Sequence, residues 1–258
     1  MSANDTHFLE VVDASVQFGE LRAVDGASLI CERGIVHALI GPNGAGKSTL
    51  FNAITGNVAL SGGDILFNGK SIVGLGPSRV AGLGIRRTFQ HGGLLQGMTV
   101  FENLLVGMHQ EIHYSVFSAM FRPSVVGDIE RKCYERAEEM ASSLGIAGLL
   151  HRPVSQLSGG ERRMVEIARA LIAESNLLLL DEPAVGLIPP ARLEIMKFIT
   201  NLAKSRNVGV ILIEHSIDMV LSGADLITVL NFGRTIATGT PSEICNNKEV
   251  IDAYLGYC

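Results

Sequence analysis

A run of six residues, Ile35–Ile40 (IVHALI), leads without a break into Gly41–Thr49 (GPNGAGKST). The run is too short and too apolar for a half-exposed strand, so it reads as a strand buried on both faces. Apolar residues at helical spacing follow from Lys47 to Thr55. Strand, glycine loop and helix in that order are the context in which the pattern G-x-x-x-x-G-K-[ST] has physical meaning. Glycines let consecutive backbone N–H groups converge on phosphate oxygens, and the helix N-terminus adds positive potential. Gly41, Pro42, Asn43, Gly44, Ala45 and Gly46 form the cradle. Lys47 is placed to contact the β- and γ-phosphates, Ser48 to hold Mg²⁺ and Thr49 to contact the α-phosphate. A glycine-rich turn with a chance lysine lacks this flanking strand and helix.

The rest of the chain must build a sheet around that strand. Phe8–Phe18, Asp64–Phe67 (closed by Asn68-Gly69) and Arg86–Phe89 read as strands. So do Leu177–Leu180, Val208–Ile213 and Leu226–Leu230. Ile195, Phe198, Ile199 and Leu202 lie at helical spacing between two of them. Buried strands alternating with helices indicate an α/β fold with a mostly parallel sheet covered on both faces. Met98–Ala147 is different and reads as mostly helical. Ile129, Cys133, Ala137, Met140, Ala141 and Leu144 share one helical face there, and Gly145 is a stop. This helical block is an insertion into the sheet domain. The expected division is a core of residues 1–97 and 157–258 with a helical part of 98–156. His109–Val126 is apolar and carries few charges; packing as core and covering a groove both suit it.

Several polar residues fall where such a sheet would present them to a phosphate. Leu177–Glu182 (LLLLDE) is an apolar strand ending in two acids. A carboxylate there is where a nucleotide's Mg²⁺ needs a ligand, so Asp181 is the metal acid and Glu182 the general base for an attacking water. A pair of acids capping a helix after Pro183 is the plainer reading. His215 closes the strand GVILIEH and either reaches the γ-phosphate or is an exposed or capping histidine. Gln90, at the end of RRTFQ, either senses the metal and the water or is a polar loop residue. Phe18 either stacks on adenine or is core. A second anion site is written in QLSGGERR: Leu157, Ser158, Gly159, Gly160 and Glu161 precede the helical MVEIARALIAE. A serine N-cap with a glycine pair in the adjoining loop would also suit that sequence.

Composition removes other classes. The net charge is −5 and the pI about 5.8, with no basic stripe of the sort that nucleic acid requires. The four cysteines, Cys31, Cys133, Cys245 and Cys258, show no CxxC spacing, which argues against a metal site and fits a reducing compartment. MSANDTHFLE lacks a signal-peptide pattern. No apolar run approaches the ~20 residues that span a bilayer. Mean hydropathy of +0.30 fits either a large core or an apolar surface that meets a partner.

Taken in order, GPNGAGKST, Gln90, LSGG, LLLLDE and His215 resemble the nucleotide-binding domain of ABC transporters across essentially the whole chain. The resemblance implies the ABC cassette of the P-loop NTPases, with an N-terminal antiparallel β part and an inserted helical subdomain. It implies an ATPase using ATP and Mg²⁺, with Ser48, Gln90 and Asp181 at the metal and Phe18 at the base. It also explains the second anion site. Two cassettes pair head to tail, as a homodimer or with a related subunit, and residues 157–161 serve the neighbour's γ-phosphate. RTFQHGGLLQGMTVFENLLVGMH and the region Ile213–Gly256 resemble the ATPases of branched-chain amino acid importers. Integral membrane permease subunits, an indirect solute-binding protein and the cytoplasmic face of the membrane follow from that resemblance. The ATPase of lipopolysaccharide export is the nearest competitor, and a soluble ATPase of this type acting on nucleic acid is a further alternative. Two residues depart from the family pattern: Glu161 replaces glutamine in the signature, and Ile188 in AVGLIPP stands where relatives carry Asn or Asp.

Overall fold

The computed structural model describes residues 7–88, 93–108, 123–173 and 175–255. Its centre is a six-stranded sheet in the order β10-β9-β3-β8-β7-β6. These strands are β3 (Val36–Ile40), β6 (Ile85–Arg87), β7 (Leu177–Asp181), β8 (Gly209–Ile213), β9 (Leu226–Asn231) and β10 (Arg234–Gly239). All neighbours are parallel except β9 and β10. A second sheet, β2-β1-β4-β5, is antiparallel. It comprises β1 (Leu9–Phe18), β2 (Leu21–Cys31), β4 (Gly62–Phe67) and β5 (Lys70–Ser71).

The main helices are α1 (Lys47–Ile54), α2 (Pro77–Gly82), α3 (Val100–Gly107), α4 (Pro123–Ser143), α5 (Gly159–Ile172), α6 (Pro189–Arg206), α7 (Ile217–Gly223) and α8 (Pro241–Cys245). Among the described residues no helix is long and apolar enough to cross a membrane.

Strand alternation sorts the central sheet into two cores. Val36, Ala38, Ile40, Leu178, Leu180, Val210 and Leu212 belong to one, together with side chains from α3 to α7. Leu39, Leu177, Leu179, Ile211 and Ile213 belong to the other, with α1 and the antiparallel sheet. Every residue of β3, β7 and β8 is buried. That is why these strands are apolar almost throughout, rather than alternating, with His37 and Asp181 as their polar members.

The helical insertion is present as α3 and α4, and Ala137, Met140, Ala141 and Leu144 are buried on the expected face. Gly145 follows in the left-handed region at φ 71°. Thr99 opens α3 with a reciprocal capping box to Glu102. Three strands escape the sequence pattern: β2, β10 and the two-residue β5. β2 is broken by Asp25-Gly26, and its pairing with β1 shifts register between Val11 and Ala14, Ala14 and Val16, and Val16 and Gln17. Bulges of this kind destroy the period of two. β10, RTIATG, is an edge strand of mixed polarity.

One buried polar group pins the two sheets. His37 on β3 is fully buried. Its Nδ1–H donates to the Ile30 carbonyl at 2.7 Å, since a carbonyl only accepts. Nε2 is left to accept from the Thr228 hydroxyl at 2.8 Å, and Thr228 meets Thr238 at 2.8 Å. Burial pushes the imidazole down to about 4 from 6.5. The folded value is depressed, so this contribution to stability is complete above pH 6.5 and is lost as pH falls towards 4. Between pH 7.5 and pH 5 the expected loss through His37 is about 2 kcal/mol. Urea unfolding at the two pH values should show His37→Gln losing less stability than the native chain by about that amount; equal losses contradict the assignment.

Candidate nucleotide site

The tips of the parallel strands bring the sequence motifs together. At the end of β3, the chain turns through Gly41 with φ 146°, where a Cβ would lie 2.0 Å from the Leu230 carbonyl oxygen. Gly46 has φ 100°, and its Cβ would lie 2.3 Å from the Ala23 oxygen. These two glycines are required by close backbone approach as well as by φ. The turn between β9 and β10 braces the loop: Gly233 N–H donates to Ala45 O at 3.0 Å and accepts at its own carbonyl from Asp25 N–H at 2.8 Å. Pro42, Asn43, Gly44 and Ala45 complete the loop between β3 and α1.

Helix α1 starts at Lys47 with Gly46 as N-cap and no side chain capping it. Its first-turn N–H groups lack the side-chain acceptor that helix starts usually recruit, which suits a bound anion. Ser48 and Thr49 occupy that turn, exposed and half-buried respectively. Lys47 is buried and folds back on its own loop, donating to the carbonyls of Gly41 at 2.8 Å and Pro42 at 2.9 Å. Burial lowers its pKa, while the charges of Glu182 and Asp181 raise it.

Asp181 is the last residue of β7, and Glu182 follows with φ 50°, in the left-handed region that few non-glycine residues adopt. The Glu182 amide stays tied to the sheet through Ile213 O at 2.9 Å. His215 leaves the neighbouring strand β8, and its Nε2–H donates to Glu182 Oε1 at 2.9 Å. Glu182 and His215 therefore touch; neither caps a helix, and His215 is exposed. Asp181 Oδ2 accepts from Arg87 at 2.5 Å, while Oδ1 is buried with no hydrogen-bond partner among the described residues. An orphaned, buried carboxylate oxygen beside a phosphate cradle fits a divalent cation.

Sequence reasoning passed over two residues. Glu214 is almost fully buried behind His215. It accepts from the backbone N–H of Ala184 at 2.8 Å and of His215 at 3.1 Å, and so joins the loops after β7 and β8. Burial raises its pKa, and Glu182 adds to the rise. Arg87, on β6, is the other. The signal for both was a charged residue inside an apolar strand segment, IEH and IRRTF, and each was overshadowed by its neighbour in the motif.

The remaining candidates separate. Phe18 ends β1 at 50% exposure, so the core placement is wrong and the face is open. Phe18 pairs with Leu21 across a two-residue hairpin, which carries it past the edge of the core. Gln90 and most of His109–Val126 lie outside the described residues. Ser158 is the N-cap of α5 and forms a reciprocal capping box with Glu161: Glu161 N–H donates to Ser158 Oγ at 3.2 Å, and Ser158 N–H to Glu161 Oε2 at 2.7 Å. The plain cap reading is thus realised, and glutamate does the work of glutamine there. The hydrogen bond from Ser158 holds the Glu161 carboxyl below its usual range. Arg152 balances its charge at 2.8 Å. Leu157 is buried beneath the loop. Gly159 and Gly160 open a cleft of about 350 Å³ shared with Gly186, Leu187 and Ile188, and no residue of 41–49 lines it. Ile188 is the N-cap of α6, exposed at 69%, and makes no capping hydrogen bond.

The chain matches the family model described as ABC transporter over residues 24–185, and that described as branched-chain amino acid ATP-binding cassette transporter over residues 234–257. It is 41% identical to the high-affinity branched-chain amino acid transport ATP-binding protein LivG of Salmonella typhimurium, covering 96% of this chain and 97% of that one. BraF of Pseudomonas aeruginosa, of the same description, is 39% identical with the same coverage. A nucleotide-free ATP-binding cassette from an ABC transporter superposes with a TM-score of 0.81 at 32% identity, over 96% of this chain and 98% of that one. The ADP conformation of the ATP-binding cassette MJ1267 gives 0.81 at 32% identity, over 97% and 99%. The strand tips, the phosphate loop and these matches converge: the chain belongs to the ABC transporter family, as an ATP-hydrolysing subunit closely related to the branched-chain amino acid transport ATPases.

Proposed function

We propose that this chain hydrolyses ATP to energise import of branched-chain or similar apolar amino acids from the cytoplasmic face of a membrane. The observation that carries the catalytic half is the 2.9 Å contact between Glu182 and His215 at adjacent strand tips, beside the phosphate loop. The transport half rests on the full-length relatives and on the C-terminal match at residues 234–257. Reconstitution with the membrane subunits that co-purify with the chain tests it. ATP-dependent uptake of leucine is the expected result, and uptake indifferent to leucine overturns the substrate class.

In this reading residues 41–49 bind the triphosphate, Lys47 swings from its loop carbonyls onto the β- and γ-phosphates, and Phe18 stacks on the base. Asp181, Ser48 and Gln90 would hold Mg²⁺, which neutralises developing phosphate charge. Glu182 accepts the proton of the attacking water. His215 orients the Glu182 carboxylate through its Nε2–H and stands at the strand tip that faces the γ-phosphate. Phosphoryl transfer needs little beyond this placement and charge neutralisation. The cleft of residues 158–161 serves a second cassette, which is the same chain or a related subunit. It lies apart from the phosphate loop of its own chain, and a half-site so placed is completed in trans. The cleft of about 380 Å³ among Arg86, Thr88, Val106, Glu166 and Arg169 suits a permease segment, because it sits where β6, α3 and α5 meet. On this reading residues 1–97 and 157–258 are the ATP-binding core and 98–156 the helical part.

Glu182→Gln removes the base and keeps the phosphate contacts. Phosphate release should fall at least ~100-fold, with ATP-dependent dimer accumulating on size exclusion; unchanged turnover removes Glu182 from the mechanism. Lys47→Ala and Ser158→Arg should divide binding from pairing. The first is expected to weaken ATP binding to the monomer roughly 10–100-fold. The second should leave that affinity intact and abolish the dimer. Titration showing equal losses in both would place the signature in its own chain's site. Ile188→Asn restores an N-cap acceptor to α6 and should raise the unfolding free energy of the isolated chain by about 1 kcal/mol. No gain in a denaturant melt would mean that the position is satisfied in another way.

A further inference from the structure

Arg87 is joined to three parts of the site at once. Its Nη2 donates to Asp181 Oδ2 at 2.5 Å, and its Nη1 donates to Asn52 Oδ1 at 2.5 Å. The guanidinium also lies 5.6 Å from the Phe51 ring. Asn52 and Phe51 belong to α1, the helix that begins at the phosphate loop. Asp181 ends β7, and Arg87 itself ends β6, three residues before Gln90. One side chain therefore links the phosphate helix, the metal acid and the strand that leads into the Gln90 segment.

The pair is shielded from water, with side-chain exposures of 15% for Arg87 and 2% for Asp181. A buried carboxylate without a counter-charge is strongly disfavoured. Arg87 supplies that charge, and Lys47 adds to it, since the charges of Asp181 and Glu182 act on the lysine. Arg87 engages only one carboxylate oxygen. Oδ1 remains buried and, among the described residues, without a hydrogen-bond partner. An arginine fork does this better than an ammonium. Its planar donors reach two acceptors on different elements at fixed separation, so the carboxylate is oriented as well as neutralised.

We propose that Arg87 is a positioning residue: by clamping Asp181 Oδ2 against α1 it presents Oδ1 to the divalent cation, and so sets how strongly the metal tightens nucleotide binding. This rests on the reading of Asp181 as the metal acid. Groups that orient ligating carboxylates typically govern metal affinity by 10–100-fold.

The test is calorimetric ADP affinity of the full chain, measured in Mg²⁺ and again in EDTA. ADP is not consumed, and the ratio of the two affinities reports the metal alone. The native chain should bind more tightly in Mg²⁺. Arg87→Lys keeps the charge and loses the fork; the ratio should shrink about tenfold with EDTA affinity unchanged. Asn52→Ala keeps the ion pair and removes its second anchor, and should shift the ratio the same way by less. A ratio unchanged or larger in both variants overturns the assignment of Arg87. If melting curves show that Arg87→Lys does not fold, Asn52→Ala decides alone by the same criterion. A native chain with no gain from Mg²⁺ overturns the metal reading itself, and Arg87 with it. ADP that fails to bind in either buffer overturns the nucleotide site as a whole.

Discussion

The site depends on the register of three parallel strands. Leu39 of β3 stands opposite Ile213 of β8, and Ile213 stands opposite Asp181 of β7. The three strands therefore end at one level, and the residues that follow, Gly41, Glu214-His215 and Glu182, emerge side by side. A slip of one residue would turn every side chain to the other face and separate Glu182 from His215. The register is protected because both faces of these strands are buried, so a slip would mismatch two cores at once. Ligands gather at the carboxyl ends of such sheets for this reason.

Around that edge, backbone groups hold the side chains of the candidate site. Glu214 ties the amides after β7 to those after β8, and the Ile213 carbonyl fixes the amide of Glu182 in its left-handed turn. The phosphate loop is braced by the Gly233 turn on one side and meets the Ala23 carbonyl on the other. Both braces come from outside the central run of strand, loop and helix: one from the antiparallel sheet, one from the β9–β10 hairpin. The antiparallel sheet thus has a mechanical role beyond covering a core. It sets the wall against which Gly46 closes. In the site, Lys47, Arg87, Asp181 and Glu182 place opposite charges within reach of one another before any phosphate arrives. Such preorganisation is the main protein contribution to phosphoryl transfer.

The signature loop follows a different logic. Its capping box satisfies the start of α5 within the chain, yet the glycines beside it line a cleft that receives nothing from the phosphate loop. The next loop contributes Ile188 to the same cleft, at a helix start where a polar cap would be more stable. Exposed apolar surface and an uncapped helix meet where a second cassette is proposed to sit.

Most of the candidate site could be read from the sequence because its parts are local. GPNGAGKST, LLLLDE and QLSGGERR each carry their own strand or helix boundary, so residue type and spacing imply geometry. The mostly apolar runs of β3, β7 and β8 likewise announced a sheet buried on both faces. What the sequence could not decide was what depends on contacts between distant segments. Phe18 reads as core in isolation, and only the hairpin's pairing exposes it. β2 was hidden because bulges remove its alternation. Arg87 and Glu214 looked like incidental charges next to named motif residues; their roles exist only because β6 lies against β7 and α1, and because β7 and β8 end in register. Local sequence fixes backbone conformation and hydrophobic period, whereas the partner of a buried charge is chosen by packing across 94 residues of chain, as between Arg87 and Asp181.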